Sequence, residues 1–170
     1  MNYFHTELAN GGFLSVKFNF DYMDQKRSVP DPQPKLQARY RAVVGEVIST
    51  YHPSRVIIGG KSMGGRVASY IAEDTQGVNG LVFLGYPLHP PGKPDKLRDE
   101  HLYKITLPTL FISGTKDTFA ERDLLERVVK KIGSNARLLW IEGGDHSLKT
   151  RRKGDDSLRV ALDAIRQWVA

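Results

Sequence analysis

The sequence predicts an α/β protein, a three-layer α/β/α sandwich around a mostly parallel sheet of about five strands. Two observations predict this class: short apolar segments alternate with longer segments of helical spacing, and glycine, proline or charged residues separate them. The predicted strands are residues 13–20, 55–59, 80–85, 109–113 and 137–141. The predicted helices are residues 36–50, 63–73, 121–132 and 157–169.

Each element has its own local signal. The run Phe-Leu-Ser-Val-Lys-Phe-Asn-Phe predicts the first strand at 13–20, and the three prolines of residues 24–34 predict a loop. Apolar side chains then recur three or four residues apart over 36–50, which predicts a helix. The β-branched Val-Ile-Ile of 55–59 predicts a buried strand, followed by a helix over 63–73 with small residues on one side.

In the second half of the chain the alternation continues. Residues 80–85 form an apolar run that ends in a proline-rich segment, and 109–113 form the next strand. The amphipathic segment 121–132 ends before Gly133, a common helix stop signal. The strand 137–141 and the helix 157–169 complete the pattern, and we expect residues 1–170 to form one domain.

Composition excludes several classes of function. The chain has no cysteine, so disulfides, thiolate metal sites and a cysteine nucleophile are excluded. Histidines and carboxylates show no metal-ligand spacing, so we predict no metal and no other cofactor. The formal charge of +6 requires that nucleic-acid binding be considered as a function. However, the densest basic run, residues 149–153, runs into Gly-Asp-Asp, as in a solvated loop, so we expect no nucleic-acid partner.

Hydropathy predicts a cytoplasmic protein without a membrane partner. No apolar stretch approaches the roughly 18 residues that cross a bilayer. The first residues, Met-Asn-Tyr-Phe-His-Thr-Glu, lack the basic start and apolar run of a secretory signal. The sequence does not decide whether the chain forms a homodimer that covers an exposed sheet edge.

The sharpest chemical signal is Gly60-Lys-Ser-Met-Gly64, which matches Gly-x-Ser-x-Gly between a strand and a helix. In that context the serine sits on a sharp turn with its hydroxyl above the sheet, which makes Ser62 the candidate nucleophile. Gly60 and Gly64 are expected to keep the turn free of clashing side chains. The backbone amide of Met63, at the helix start, is the expected oxyanion donor.

A phosphate-binding turn is the main alternative for this glycine-rich segment. The segment fits neither Gly-x-x-x-x-Gly-Lys-Ser/Thr nor Gly-x-Gly-x-x-Gly, because Lys61 precedes Ser62 without the upstream glycine spacing. A nucleotide site is therefore not expected.

An acid and a base follow in the chain order that this chemistry requires. Asp117 comes just after the strand 109–113, and His146 comes just after the strand 137–141. Because the carboxyl ends of parallel strands meet at one edge of the sheet, we expect both residues beside Ser62. His146 would then take the serine proton, and Asp117 would orient the imidazole. Read separately, Asp117 could be a helix cap and His146 a surface residue.

Substrate contacts are predicted from position alone. Lys61 precedes the nucleophile, and Tyr86 opens the proline-rich segment 86–103, which is expected to overhang the site. His89 in that segment is a further candidate, although a solvated loop histidine is an equal alternative. Arg98 and the nearby lysines of the segment could favour an acidic substrate.

Four segments carry a resemblance to a known family: Gly59–Arg66, Leu84–Pro94, Gly114–Asp117 and Gly143–Ser147. In them the chain resembles small α/β-hydrolase-like proteins related to dienelactone hydrolases. That group shares its domain with a subunit of the human nonspecific-lethal chromatin complex. The resemblance implies the triad above, no cofactor, and an activity like that of carboxylesterases or dienelactone hydrolases. It does not imply a particular substrate.

The chain departs from this family in one respect. Family members begin with a strand and a His-Gly-Ala-Gly-like loop that supplies a second oxyanion amide, and residues 1–12 resemble the helix after that loop. A sheet position between residues 13–20 and the nucleophile strand would then be unfilled. Three explanations of the unfilled position are open. The sequence is a truncated reading of a longer chain, the two flanking strands close up directly, or a second chain fills the position. A hydrolase and a catalytically silent scaffold are both compatible with it.

Overall fold

Four parallel strands form the sheet of this computed structural model, which describes residues 1–169, and their order β1-β2-β3-β4 follows the sequence. The strands are β1 Val56–Lys61, β2 Val78–Leu84, β3 Thr109–Gly114 and β4 Ala136–Ile141. Their register pairs Ile58 with Leu81 and Leu84 with Ile112. The predicted α/β class with a parallel sheet is confirmed, with four strands instead of five.

Helices cover both faces of this sheet. They are α1 Asn2–Asn10, α2 Asp21–Asp24, α3 Gln33–Tyr51, α4 Met63–Ile71, α5 Arg122–Ile132 and α6 Ser157–Val169, with a 3-10 turn at Glu100–Lys104. Alternate strand residues point to opposite faces, so Phe83 packs with α3, α4 and α5, whereas Val82 packs with α1 and α6. Among residues 1–169, no helix is both long and apolar enough to span a bilayer.

The prediction of a strand at residues 13–20 is wrong. This segment pairs with no other strand, although Phe18 packs edge-on against Tyr40 of α3 with ring centroids 4.9 Å apart. The ladder hydrogen bonds of a strand require a neighbour at the right spacing. A cavity of about 470 Å³ instead separates the segment from β1, and residues of both line it. The two flanking segments therefore do not close directly on one another.

Tyr40 satisfies part of the free edge of β1. Strand β1 pairs with β2 on one side, and on the other side the Tyr40 hydroxyl donates to Gly59 O at 2.5 Å and accepts from Gly59 N at 3.0 Å. Burial raises the pKa of Tyr40 to about 12, so the hydroxyl stays protonated and keeps both bonds. A single α3 side chain thus holds the strand that leads to the nucleophile.

Replacing Tyr40 with phenylalanine should lower the free energy of unfolding by about 1–3 kcal/mol, because both backbone groups of Gly59 lose their partner. Urea unfolding followed by circular dichroism measures this. Tyr51→Phe, at an exposed position of the same helix, is the matched control and should change stability by no more than about 0.5 kcal/mol. Equal stability of the two variants would contradict the bridging role of Tyr40.

Candidate active site

Ser62 lies at the sharp turn between β1 and α4. Its backbone has φ 53° and ψ −122°, a conformation that non-glycine residues rarely adopt. Two backbone hydrogen bonds hold it, from Ser62 N to Leu84 O at 3.0 Å and from Arg66 N to Ser62 O at 3.1 Å. Strain of this kind, about 1–3 kcal/mol, persists only where surrounding structure enforces it, and it clusters at active sites.

The glycines that make this turn tight are Gly60 and Gly65. A Cβ atom on Gly65 would lie 2.7 Å from Gly60 O, so α4 could not pack this closely on β1 with any other residue there. A Cβ on Gly60 would lie 3.1 Å from the carbonyl carbon of Gly64. The prediction for Gly64 is wrong, because a Cβ there would meet nothing within 4 Å.

Three side chains from separate loops meet at the carboxyl edge of the sheet. Nε2 of His146 lies 2.8 Å from Ser62 Oγ. Nδ1 of His146 lies 2.9 Å from each carboxylate oxygen of Asp117. The structure therefore brings the three predicted residues into one hydrogen-bonded row, in the geometry of a nucleophile, a base and an orienting acid.

The Asp117 carboxylate is fully buried, whereas the imidazole of His146 is 21% exposed. Asp117 Oδ1 also accepts a hydrogen bond from Phe119 N at 2.8 Å, which fixes the carboxylate plane. The Phe119 ring packs on the imidazole with centroids 4.2 Å apart. Sequence reasoning missed this residue, since a phenylalanine two positions after the acid carries no distinctive signal.

Backbone contacts hold the acid and base loops together. Lys116 N donates to Gly144 O at 2.8 Å, which ties the loop after β3 to the loop after β4. Gly85, at the end of β2, has φ +60°, and a Cβ there would lie 2.6 Å from His146 O. Only glycine combines this backbone angle with so close an approach to the base.

Lys61 and Met63 flank the nucleophile in the chain. Lys61 Nζ donates to Ser147 Oγ at 2.7 Å, so the lysine links the nucleophile turn to the residue after the base. Met63 is the first residue of α4, where helix amides have no partner within the helix. Such amides attract negative charge.

Tyr86 and His89, predicted to contact substrate, are buried and make structural contacts instead. Each is 1% exposed. The Tyr86 hydroxyl donates to Arg98 O at 3.3 Å. His89 binds Pro90 O through Nδ1 at 2.9 Å and accepts from Glu121 N through Nε2 at 3.2 Å, which braces the loop carrying Asp117. These contacts join distant segments, so the sequence alone does not show them.

A second polar cluster consists of Ser69, Tyr86 and His101. Nε2 of His101 is 2.8 Å from Ser69 Oγ and 3.2 Å from the Tyr86 hydroxyl, and its ring stacks on Tyr70. Burial lowers the pKa of His101 to about 4, so this imidazole is neutral at pH 7. Ser69 Oγ donates to Arg66 O at 2.7 Å, which is a structural use of that hydroxyl.

Within residues 1–169, no three histidine, aspartate or glutamate side chains are grouped as metal ligands. The 470 Å³ cavity beside β1 is lined by none of the triad residues, so it is separate from the chemistry described here.

Solved structures with this fold resemble the chain at low sequence identity. An Agrobacterium tumefaciens protein of unknown function, classed with the α/β hydrolases, matches with a TM-score of 0.78 at 16% identity, over 97% of this chain and 74% of that one. An α/β serine hydrolase without a lid from Xanthomonas campestris matches with a TM-score of 0.64 at 20% identity, over 84% and 61% of the two chains.

An α/β serine hydrolase homologue from Coxiella burnetii matches with a TM-score of 0.59 at 18% identity, over 83% of this chain and 60% of that one. The chain thus spans about three fifths of the length of the Xanthomonas and Coxiella proteins. At these identities the likeness concerns the fold. The family model described as "Alpha/beta hydrolase domain" matches residues 1–170, and the chain therefore belongs to the α/β-hydrolase domain family.

Proposed function

We propose that the chain is a serine hydrolase that cleaves an ester or related acyl bond of a small molecule through an acyl-enzyme on Ser62. The observation that carries this proposal is the continuous row of hydrogen bonds from Ser62 Oγ through the His146 imidazole to the buried Asp117 carboxylate. Such a row activates a serine hydroxyl and has no evident structural purpose at a strained turn.

The proposed reaction uses the same groups in both half-reactions. His146 Nε2 takes the proton as Ser62 Oγ attacks the acyl carbon, and Asp117 stabilises the imidazolium through Nδ1. The Met63 amide, at the start of α4, donates to the oxyanion of the tetrahedral intermediate. His146 then protonates the departing alcohol, and water, activated by the same imidazole, releases the acid and restores Ser62.

Finer features of this proposal rest on the sequence. The resemblance to proteins related to dienelactone hydrolases favours a small ester over a polymer, with carboxylesterase-like or dienelactone hydrolase-like chemistry. The site beside Lys61 is open to such a ligand, since the imidazole is partly exposed. We also propose that the protein is cytoplasmic and that it forms a homodimer.

A fluorophosphonate probe tests the proposal. The native chain should form one covalent adduct, located at Ser62 by mass spectrometry, and both Ser62→Ala and His146→Ala should lose it. Ser69→Ala is the matched control, because Ser69 also lies within hydrogen-bond distance of a histidine ring, that of His101, and its loss should not affect labelling. Absence of an adduct in a folded, monodisperse sample, or an adduct elsewhere, would contradict the proposal.

A catalytically silent binding or scaffold protein is the second candidate. The observation that favours it is the apolar cavity beside β1, on whose side the nucleophile strand pairs with no other strand within residues 1–169. The resemblance to a chromatin-complex subunit favours it as well. A folded chain that never reacts with the probe would support this function.

A further inference from the structure

His89 lies in a buried and rigid segment that packs against the loop carrying Asp117. The residue is 1% exposed. Pro87 and Pro90 flank it closely, and each proline ring fixes its own φ. Pro90 also restricts the backbone of His89, because the residue before a proline is kept out of the helical region. The imidazole is therefore presented from a segment with few accessible conformations.

Two hydrogen bonds join His89 to the loop between β3 and α5. Its backbone N donates to Phe119 O at 3.1 Å, and its imidazole Nε2 accepts from Glu121 N at 3.2 Å. Glu121 is the residue before α5, so the second bond also holds the point where that helix begins. At the other end of the loop, Asp117 N donates to Gly114 O at 3.1 Å. The loop is thus held at both ends, and His89 holds the end that is farther along the chain from β3.

The partners of the His89 imidazole assign its tautomer. Nδ1 lies 2.9 Å from Pro90 O, which can only accept a hydrogen bond, so Nδ1 carries a proton. Nε2 faces the backbone N–H of Glu121, which can only donate, so Nε2 carries none. One form of the ring satisfies both partners, namely the neutral tautomer with its proton on Nδ1. The other tautomer and the imidazolium would both direct an N–H bond at the N–H of Glu121.

The loop that His89 holds sets the surroundings of the base. Phe119 N donates to Asp117 Oδ1 at 2.8 Å, and the Phe119 ring packs on the His146 imidazole with centroids 4.2 Å apart. Phe119 O is also the atom that accepts from His89 N. Phe119 therefore contacts the acid, the base and His89. A shift of this loop would move both groups that orient the imidazole, and a displacement of about 1 Å can lower a rate about 100-fold.

We propose that His89 is a positioning residue, and that its Nδ1-protonated imidazole holds the loop 117–121 where it aligns the base, His146. The effect on catalysis rests on the proposed hydrolase function, whereas the tautomer and the hold on the loop do not. Within residues 1–169, no hydrogen bond joins His89 to the base or to Ser62. Loss of the imidazole should therefore slow the chemical step and leave substrate binding unchanged.

Two substitutions separate the bond to Glu121 from the bond to Pro90. Glutamine can place an amide oxygen near the position of Nε2 and accept from Glu121 N, whereas the shorter asparagine can donate to Pro90 O but leaves Glu121 N unpaired. Both variants keep the backbone bond to Phe119 O, so we expect both to fold.

Kinetics with p-nitrophenyl butyrate test the effect on the reaction. We expect His89→Asn to lower kcat about ten- to hundred-fold with KM unchanged, and His89→Gln to recover most of that loss. His52→Asn is the matched control and should change neither constant. His52 is the exposed residue that follows α3, and its left-handed backbone suits asparagine.

NMR tests the hold on the loop without turnover. In the isotope-labelled native chain, nitrogen shifts should show the proton of the His89 ring on Nδ1, the reverse of the tautomer that free histidine prefers. Amide hydrogen exchange at Phe119 and Glu121 should quicken in His89→Asn and return toward the native rate in His89→Gln.

The two experiments fail in different ways. The expected tautomer and exchange rates in a chain that hydrolyses no ester support the hold on the loop, and in that case the hydrolase proposal alone fails. A proton on Nε2, or native exchange rates in His89→Asn, overturns the positioning role. In an active chain, so does a native kcat in His89→Asn, a change in KM alone, or a His89→Gln variant no faster than His89→Asn.

Discussion

Replacing His146 with alanine should lower kcat for a small ester by about 10⁴- to 10⁶-fold, with little change in KM. The imidazole is the group within 2.8 Å of Ser62 Oγ that can accept its proton, and no other described titratable side chain bonds that hydroxyl. Without it the serine reacts as an ordinary alcohol at neutral pH. Stopped assays with p-nitrophenyl butyrate over long incubations measure the residual rate.

Chemical rescue separates the loss of a base from misfolding. The substitution leaves a space beside Phe119 that the ring occupied, and added imidazole should restore part of the activity by filling it. Thermal unfolding should show a cooperative transition, since the Asp117 carboxylate keeps its bond from Phe119 N. A variant that retains more than a tenth of native activity would mean that another group is the base.

Replacing Asp117 with asparagine should lower kcat by about 10⁴-fold while the fold is retained. Oδ1 accepts from Phe119 N, so the amide oxygen is expected to stay there and the amide NH₂ to face Nδ1 of His146. That NH₂ donates a hydrogen bond, which favours the tautomer with the proton on Nε2. An imidazole protonated on Nε2 cannot accept the proton of Ser62.

Asp145→Asn is the matched control for this substitution. Asp145 is adjacent to the base, but its Oδ1 accepts from Ser147 N at 2.7 Å and Lys149 N at 3.1 Å and does not bond the imidazole. We expect it to lower kcat by less than about ten-fold. A larger loss of kcat in Asp145→Asn than in Asp117→Asn would mean that Asp145, and not Asp117, is the acid.

Much of the candidate site follows from the sequence, because each of its three residues comes directly after a predicted strand. Ser62 follows β1, Asp117 follows β3 and His146 follows β4, and parallel strands place their carboxyl ends at one edge. Chain order and strand direction are enough to predict that the three side chains meet. The hydrogen bonds themselves join residues 84 and 29 positions apart, so only the folded chain decides their lengths.

The errors also have physical reasons. Residues 13–20 have the composition of a strand, but a strand forms only against a neighbour, and a cavity lies where that neighbour would be. Tyr86 and His89 were placed near substrate by their position, whereas packing buries both. Gly64 matches the motif, but the close approach of α4 to β1 occurs at Gly65.

The sequence by itself determined the α/β class, the order of the four paired strands and the helices between them, and the three side chains of the candidate site, because periodicity and motif spacing are local properties. Tertiary structure alone decided which loop residues are buried and how Tyr40 supports β1. Those features depend on contacts between segments far apart in the chain, and local patterns carry no information about them.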